Sequence, residues 1–95
     1  MKIVIAGAGA VGTHLARLLS KDDFDVVLMD EDIDHLAKLN QEIDIMTLGI
    51  SPDSIKGQMK AGVDNANLFI AATPHGRSGL IPFFNAMSQI IGIKV

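Results

Sequence analysis

Short apolar runs rich in β-branched residues alternate with amphipathic segments of helical period along the chain. The apolar runs predict strands at residues 2–6, 25–29, 43–48 (interrupted by Asp44), 68–72 and 93–95. Helices are predicted at residues 10–21, after a cap at Asp32, from Ser51 and Pro52 to Gly62, and at residues 80–91. The first two helices carry apolar stripes that are predicted to face the sheet, formed by Val11, Leu15, Leu18 and Leu19, and by Ile33, Leu36, Ala37 and Leu39.

This alternation predicts an α/β fold, a Rossmann-like doubly wound parallel sheet with right-handed crossovers. We expect the strand order 3-2-1-4-5, with a ligand crevice between strands 1 and 4, where the winding direction reverses. Residues 68–72 are apolar on both faces, which is typical of a central parallel strand. The sequence stops as the fifth strand begins, so residues 1–95 are interpreted as one domain truncated at strand five, a fragment of a larger protein.

A glycine-rich turn joins the first strand to the first helix and carries the pattern Gly7-x-Gly9-x-x-Gly12. Gly7 would allow the tight turn out of the strand, Gly9 the approach of a pyrophosphate, and Gly12 close packing of the helix. The phosphates would meet backbone N–H groups at the positive end of that helix, including those of Ala10 and Val11. The alternative is that these glycines only shape a tight strand-to-helix turn.

An acidic residue, Asp30, ends the second strand about 20 residues after the glycines, where a carboxylate is expected to hold the adenosine ribose. The run Asp30-Glu31-Asp32 offers no Arg or Lys for a 2′-phosphate, which favours NAD over NADP. Read alone, the same acidic run is also a helix-start signal, in which Asp32 is the better cap.

Charge and composition exclude several other functions. The chain has a net charge of −3 and no basic block interleaved with aromatic residues, so it predicts no nucleic-acid binding. It lacks cysteine, a signal peptide and an apolar run long enough for a membrane span, which predicts a soluble, cytoplasmic module without direct membrane insertion. His14, His35 and His75 are scattered, so no metal site is expected, and no catalytic Ser-His-Asp or Cys-His pattern is evident.

Three segments carry a resemblance to a known family: MKIVIAGAGAVGTHLARLLS, DVVLMDEDIDHLAKLN and AGVDNANLFIAATPH. In this order and register the chain resembles the nucleotide-binding domain of Trk-type potassium uptake regulatory proteins, also called TrkA N-terminal, RCK or KTN domains. The likeness is strong over residues 1–48 and good over residues 61–75. Dehydrogenases share the first segment, whereas the phrase at residues 61–67 points more narrowly to the potassium regulators.

The resemblance implies a nucleotide site at the glycine turn, with Asp30 at the ribose and Thr73 lining the crevice near the second half of the dinucleotide. Two departures matter. Ala10 stands where many members have a longer polar or basic residue, which leaves fewer charges for an extra phosphate and weakens an ATP reading. ATP or ADP is the less favoured alternative to NAD(H). Ile50 follows Gly49 where members often have Asp or Asn beside the adenine. The complete candidate set for cofactor binding is Gly7, Gly9, Ala10, Val11, Gly12, Asp30, Glu31, Thr73, Pro74 and His75.

His75 and Arg77 follow the fourth strand at the predicted ligand edge. They would meet phosphate or nicotinamide groups, with Arg77 supplying a fixed positive charge. The alternative is a solvated loop rich in Gly and Ser.

The resemblance implies a non-enzymatic regulatory domain that gates a membrane-embedded potassium transporter through ligand-dependent conformational change, at the inner face of the membrane. The alternatives are the cofactor half of an NAD-dependent oxidoreductase, and a structural fragment without ligand. We also expect a homo-oligomer, a dimer or a ring of dimers. Apolar residues widen the predicted fourth helix's stripe beyond what one sheet face needs: Phe83, Ala86 and Ile90. The other interpretation is that further elements of the full protein cover them.

Overall fold

A computed structural model describes residues 1–72 and residue 85. In this part of the chain a parallel sheet has its strands in the order third, second, first and fourth, which confirms the predicted order for these four strands. The elements are β1 (Lys2–Ala6), α1 (Ala10–Ser20), β2 (Asp25–Met29), α2 (Ile33–Glu42), β3 (Met46–Leu48), α3 (Ile55–Ala61), a 3₁₀ turn (Val63–Asn65) and β4 (Leu68–Ala71). The predicted fourth helix and fifth strand lie outside the described residues.

The register of the strands brings their carboxyl ends to one edge of the sheet. Ile5 of β1 pairs with Leu28 of β2 on one side and with Ile70 of β4 on the other. Hydrogen bonds beyond the strands continue this alignment, since Gly7 N donates to Met29 O at 2.8 Å and Asp30 N to Leu48 O at 3.2 Å. The turns that leave the strands therefore lie side by side at that edge.

Helices cover both faces of the sheet, as a parallel sheet requires. On one face α1 and α2 bury one core cluster, formed by Ile3, Ile5, Ala8, Ala16, Val26, Leu28, Leu36 and Leu39. On the other face α3 and the 3₁₀ turn complete a second cluster, formed by Val4, Val27, Met29, Ala61 and Val63. The side chains of β1 alternate between these clusters, which explains why that strand is apolar throughout.

The predicted apolar stripe of α1 is wrong in part. Val11 and Leu18 are 66% and 46% exposed, whereas Gly12 and Ala16 are buried. Helix α1 approaches the sheet so closely that two small residues one turn apart, Gly12 and Ala16, form the line of contact. Large apolar residues flank that line or face outward.

In α2 the predicted cap is confirmed, but the predicted apolar stripe is wrong in part. The Asp32 carboxylate accepts a hydrogen bond from His35 N at 3.1 Å. Leu36 and Leu39 are buried as predicted, but Ile33 is 64% exposed and Ala37 is also exposed. The face of α2 that meets the core is therefore narrower than the predicted stripe.

Strand β3 and helix α3 both begin later than predicted. Pairing with β2 starts at Met46, because the backbone turns at residues 43–45, where Ile45 N donates to Ile43 O. The cap of α3 is Ser54, whose hydroxyl accepts from Gly57 N at 3.1 Å. Pro52 lies in the preceding turn. Gly62 ends α3 as predicted, with a φ of +81°.

Gly12 is the position where the packing of α1 tolerates an added side chain least. A Cβ there would stand 2.9 Å from the carbonyl carbon of Gly7 and would overlap its oxygen. We predict that Gly12→Ala lowers the free energy of unfolding by roughly 1–3 kcal/mol, because backbone rather than a flexible side chain must give way. Urea unfolding followed by circular dichroism measures the loss.

Gly9→Ala is the matched control, since a Cβ at Gly9 meets nothing within 4 Å. It should cost less than about 1 kcal/mol, the difference between Gly and Ala at a helix N-cap. Equal losses in the two variants would contradict this account of how α1 docks.

Candidate functional site

Gly7 makes the turn that carries the chain from β1 to α1. Its φ of +109° lies in the region that side chains disfavour, and a Cβ there would overlap the carbonyl oxygen of Ala72. Ala72 N in turn donates to Ala6 O at 2.8 Å. The turn therefore lies between the carboxyl ends of β1 and β4, which is the predicted crevice.

Gly9 is the N-cap of α1 and leaves open space beside the start of the helix. The first hydrogen bond of the helix runs from Thr13 N to Gly9 O at 2.9 Å, so the amides of residues 10–12 precede it. The first turn holds no acidic side chain, and Ala10 and Val11 are exposed. An anion could therefore approach these amides at the positive end of the helix.

Asp30 joins the end of β2 to the glycine turn. One carboxylate oxygen accepts from Ala8 N at 2.7 Å, and the other accepts from Asp32 N at 2.9 Å. The side chain is only partly buried, so solvent still reaches it. A carboxylate has about four acceptor positions, which leaves about half of them for a ligand's hydroxyl groups.

Thr13 and His35 form a second link to the glycine turn, which the sequence did not indicate. The Thr13 hydroxyl donates to Ala8 O at 3.0 Å and lies 3.3 Å from His35 Nε2. It thereby joins α1, α2 and the turn. The sequence could have indicated these two residues only by their position, since Thr13 directly follows the glycine turn and His35 follows the cap at Asp32.

Gly49 and Ile33 lie at the same edge, beyond β3 and at the start of α2. A Cβ at Gly49 would stand 2.5 Å from Cγ2 of Ile33, so the glycine lets the two segments meet. Ile50 packs beside Gly57 of α3 instead, since a Cβ on that glycine would stand 2.6 Å from Cγ2 of Ile50. Ile50, the residue that departs from the family pattern, thus makes an apolar contact with α3.

The structure brings most of the predicted site residues together at this edge. The glycine turn, the first turn of α1 and Asp30 are adjacent, and Glu31 follows as an exposed residue. Thr73, Pro74, His75 and Arg77 lie outside the described residues. Within residues 1–72 and 85, no group of His, Asp and Glu is arranged to hold a metal ion.

These features define a Rossmann-type α/β domain with a glycine-rich turn and an acid at the end of its second strand. The model of the TrkA-N domain family matches residues 3–88, and the chain belongs to that family.

Proteins from bacteria and archaea are similar to this chain. The Trk system potassium uptake protein TrkA of Haemophilus influenzae is 34% identical over 99% of this chain and 22% of its own length. A TrkA homolog of Archaeoglobus fulgidus is 35% identical over 85% of this chain and 18% of its own length. The TrkA homolog of Methanothermobacter thermautotrophicus is 35% identical over 85% of this chain and 38% of its own length. The chain thus spans between about a fifth and two fifths of these relatives.

None of the helices in the described part of the chain combines the length and the apolar character needed to cross a membrane.

Proposed function

We propose that this chain is the NAD(H)-binding part of a regulatory protein of a potassium uptake system. The observation that carries the binding proposal is the juxtaposition of Asp30 with the glycine turn through Ala8 N. A carboxylate thus lies against the turn that leads into the open amides of α1, an arrangement that suits a nucleotide with a pyrophosphate and a free ribose.

The pyrophosphate would lie over Gly9 and the first turn of α1. A Cβ at Gly9 would enter open space, and no carboxylate of that first turn competes for the amides. The positive end of the helix and its free N–H groups then stabilise the phosphate charge. The same features suit ATP less well, because Ala10 supplies no charge for a third phosphate.

The ribose and the adenine would lie beyond the carboxyl ends of β2 and β3. Asp30 would accept from the ribose hydroxyls with the acceptor positions that Ala8 and Asp32 leave free. The exposed side chain of Ile33, beside Gly49, offers an apolar surface for one face of the adenine. We assign Thr73, Pro74 and His75 to the far half of the dinucleotide on the family resemblance alone.

The regulatory part of the proposal is supported by the relatives, whose names refer to a potassium uptake system. The role is therefore binding rather than catalysis, at the cytoplasmic face of a membrane-embedded potassium transporter. A nucleotide would act by favouring one arrangement of a homo-oligomer over another, through its difference in affinity for the two.

Asp30 should set the preference for NADH over NADPH. We predict that the parent chain binds NADH at least tenfold more tightly, since Asp30 accepts from the ribose but repels a 2′-phosphate. In Asp30→Ala, NADH binding should weaken by about 1–3 kcal/mol, the scale of charge-assisted hydrogen bonds. NADPH binding should weaken much less. Titration calorimetry measures both affinities.

Asp32→Asn is the control for Asp30, because it changes a neighbouring acidic residue whose carboxylate caps α2. It should keep the parental preference. Equal affinity of the parent for NADH and NADPH would refute the role of Asp30.

Gly9 should separate binding from folding. Gly9→Val puts a branched side chain into open space, so the chain should fold with a melting temperature near that of the parent. That side chain occupies the place proposed for the pyrophosphate, and NADH binding should be lost. In a full-length protein that contains this chain, potassium uptake should then no longer respond to the ratio of NADH to NAD.

Gly9→Ala is the graded control for that experiment and should retain part of the affinity. A folded Gly9→Val variant with parental affinity would show that the phosphates do not lie over this turn.

A further inference from the structure

Thr13 and His35 stand just outside the proposed nucleotide site, and their roles follow from the chemistry of their hydrogen bonds. A carbonyl oxygen only accepts, so at 3.0 Å the Thr13 hydroxyl donates its single proton to Ala8 O. At the 3.3 Å contact with His35 the same oxygen must then accept. His35 Nε2 is therefore the donor, and α2 fixes the rotation of a hydroxyl on α1.

The orientation of Ala8 O determines the orientation of the next amide. Ala8 C=O and Gly9 N–H belong to one planar trans peptide, so the two bonds point in opposite directions. Holding the carbonyl toward Thr13 turns Gly9 N–H away from α1. Gly9 is exposed and has open space beside it, so this amide is directed at the region assigned to the pyrophosphate.

The hydrogen bonds close a ring around the turn. Ala8 N donates to Asp30, Asp32 N donates to the other oxygen of Asp30, and Asp32 accepts from His35 N. His35 then donates to Thr13, which returns to Ala8 O. This ring holds the two peptide groups that flank Ala8. Asp30 accepts from the N–H of Ala8, and Thr13 donates to its carbonyl oxygen.

We propose that Thr13 and His35 are positioning residues for the nucleotide, with Thr13 aiming Gly9 N–H at the pyrophosphate and His35 orienting the Thr13 hydroxyl. This inference rests on the proposed function. It assigns no direct contact with the nucleotide to either side chain. His35 acts through Thr13, so its effect must disappear when the hydroxyl is absent.

NADH affinity, measured by calorimetry on the whole chain, tests this order of action. Thr13→Val, which keeps the shape and removes the hydroxyl, should bind roughly threefold to tenfold more weakly, the value of one hydrogen bond. Thr13→Ser should stay within about twofold of the parent. His35→Phe should lose about twofold to fivefold, and His35→Gln, whose amide can donate, should recover most of it.

A double variant distinguishes positioning from a general loss of structure. Thr13→Val combined with His35→Phe should bind no more weakly than Thr13→Val alone. Arg17→Gln is the control, because it breaks a different polar link between α1 and α2, the ion pair of Arg17 with Glu42 at the carboxyl end of α2. It should leave NADH affinity unchanged, and thermal unfolding confirms that each variant is folded.

Nitrogen-15 NMR of the histidine rings gives a readout that does not depend on nucleotide. In the neutral ring, His35 should carry its proton on Nε2 in the parent, and the Nε2 resonance should shift in Thr13→Val, where that proton loses its acceptor. Parental affinity in a folded Thr13→Val variant, or additive losses in the double variant, would overturn the inference while leaving NADH binding intact. A parent chain that binds no NADH would instead overturn the proposed function and, with it, this inference.

Discussion

The close approach of Gly12 to the carbonyl group of Gly7 is the constraint on which the rest of the structure depends. Without a Cβ at Gly12, α1 can lie directly on the turn, and without one at Gly7 the turn can lie against Ala72. The start of α1 is thereby held at the carboxyl edge of the sheet, between β1 and β4. A helix that packed through larger side chains would stand farther away, and its open amides would not face the crevice. A Cβ at Gly9, by contrast, would meet nothing within 4 Å, and this open space suits a ligand.

Polar contacts then tie this turn to the second strand and the second helix. Asp30 holds Ala8 N, and Thr13 holds Ala8 O with support from His35. These bonds are short-range and their geometry is specific, so they determine the directions of individual amides where packing determines only the position of the helix. Asp30, which we propose binds the ribose, and the glycine turn, which we propose binds the phosphates, are therefore parts of one hydrogen-bonded unit. In this account nucleotide binding adds to a preformed arrangement, and the ordering cost of the site is small.

Much of this was predictable from the sequence because it depends on local chemistry. The bounds of β1 and β2, the cap at Asp32 and the end of α3 at Gly62 follow from apolar runs and capping residues. The line of contact on α1 was not predictable in the same way. Periodicity assigns the large residues Val11 and Leu18 to the core, whereas the close approach of the helix selects Gly12 and Ala16. The bonds from Asp30 and His35 to residues 22 positions earlier depend on the assembled sheet and carry no local pattern.

The central claim is that a dinucleotide lies across the glycine turn with its ribose at Asp30. Titrating the nitrogen-15-labelled chain with NADH and following every backbone amide tests it most directly. The account predicts the largest shifts at Gly9, Ala10 and Val11, with a second group at Asp30 and Glu31, and little change in α3. Saturable shifts confined to α3 or to the opposite edge of the sheet, or no saturable shifts at all, would contradict it.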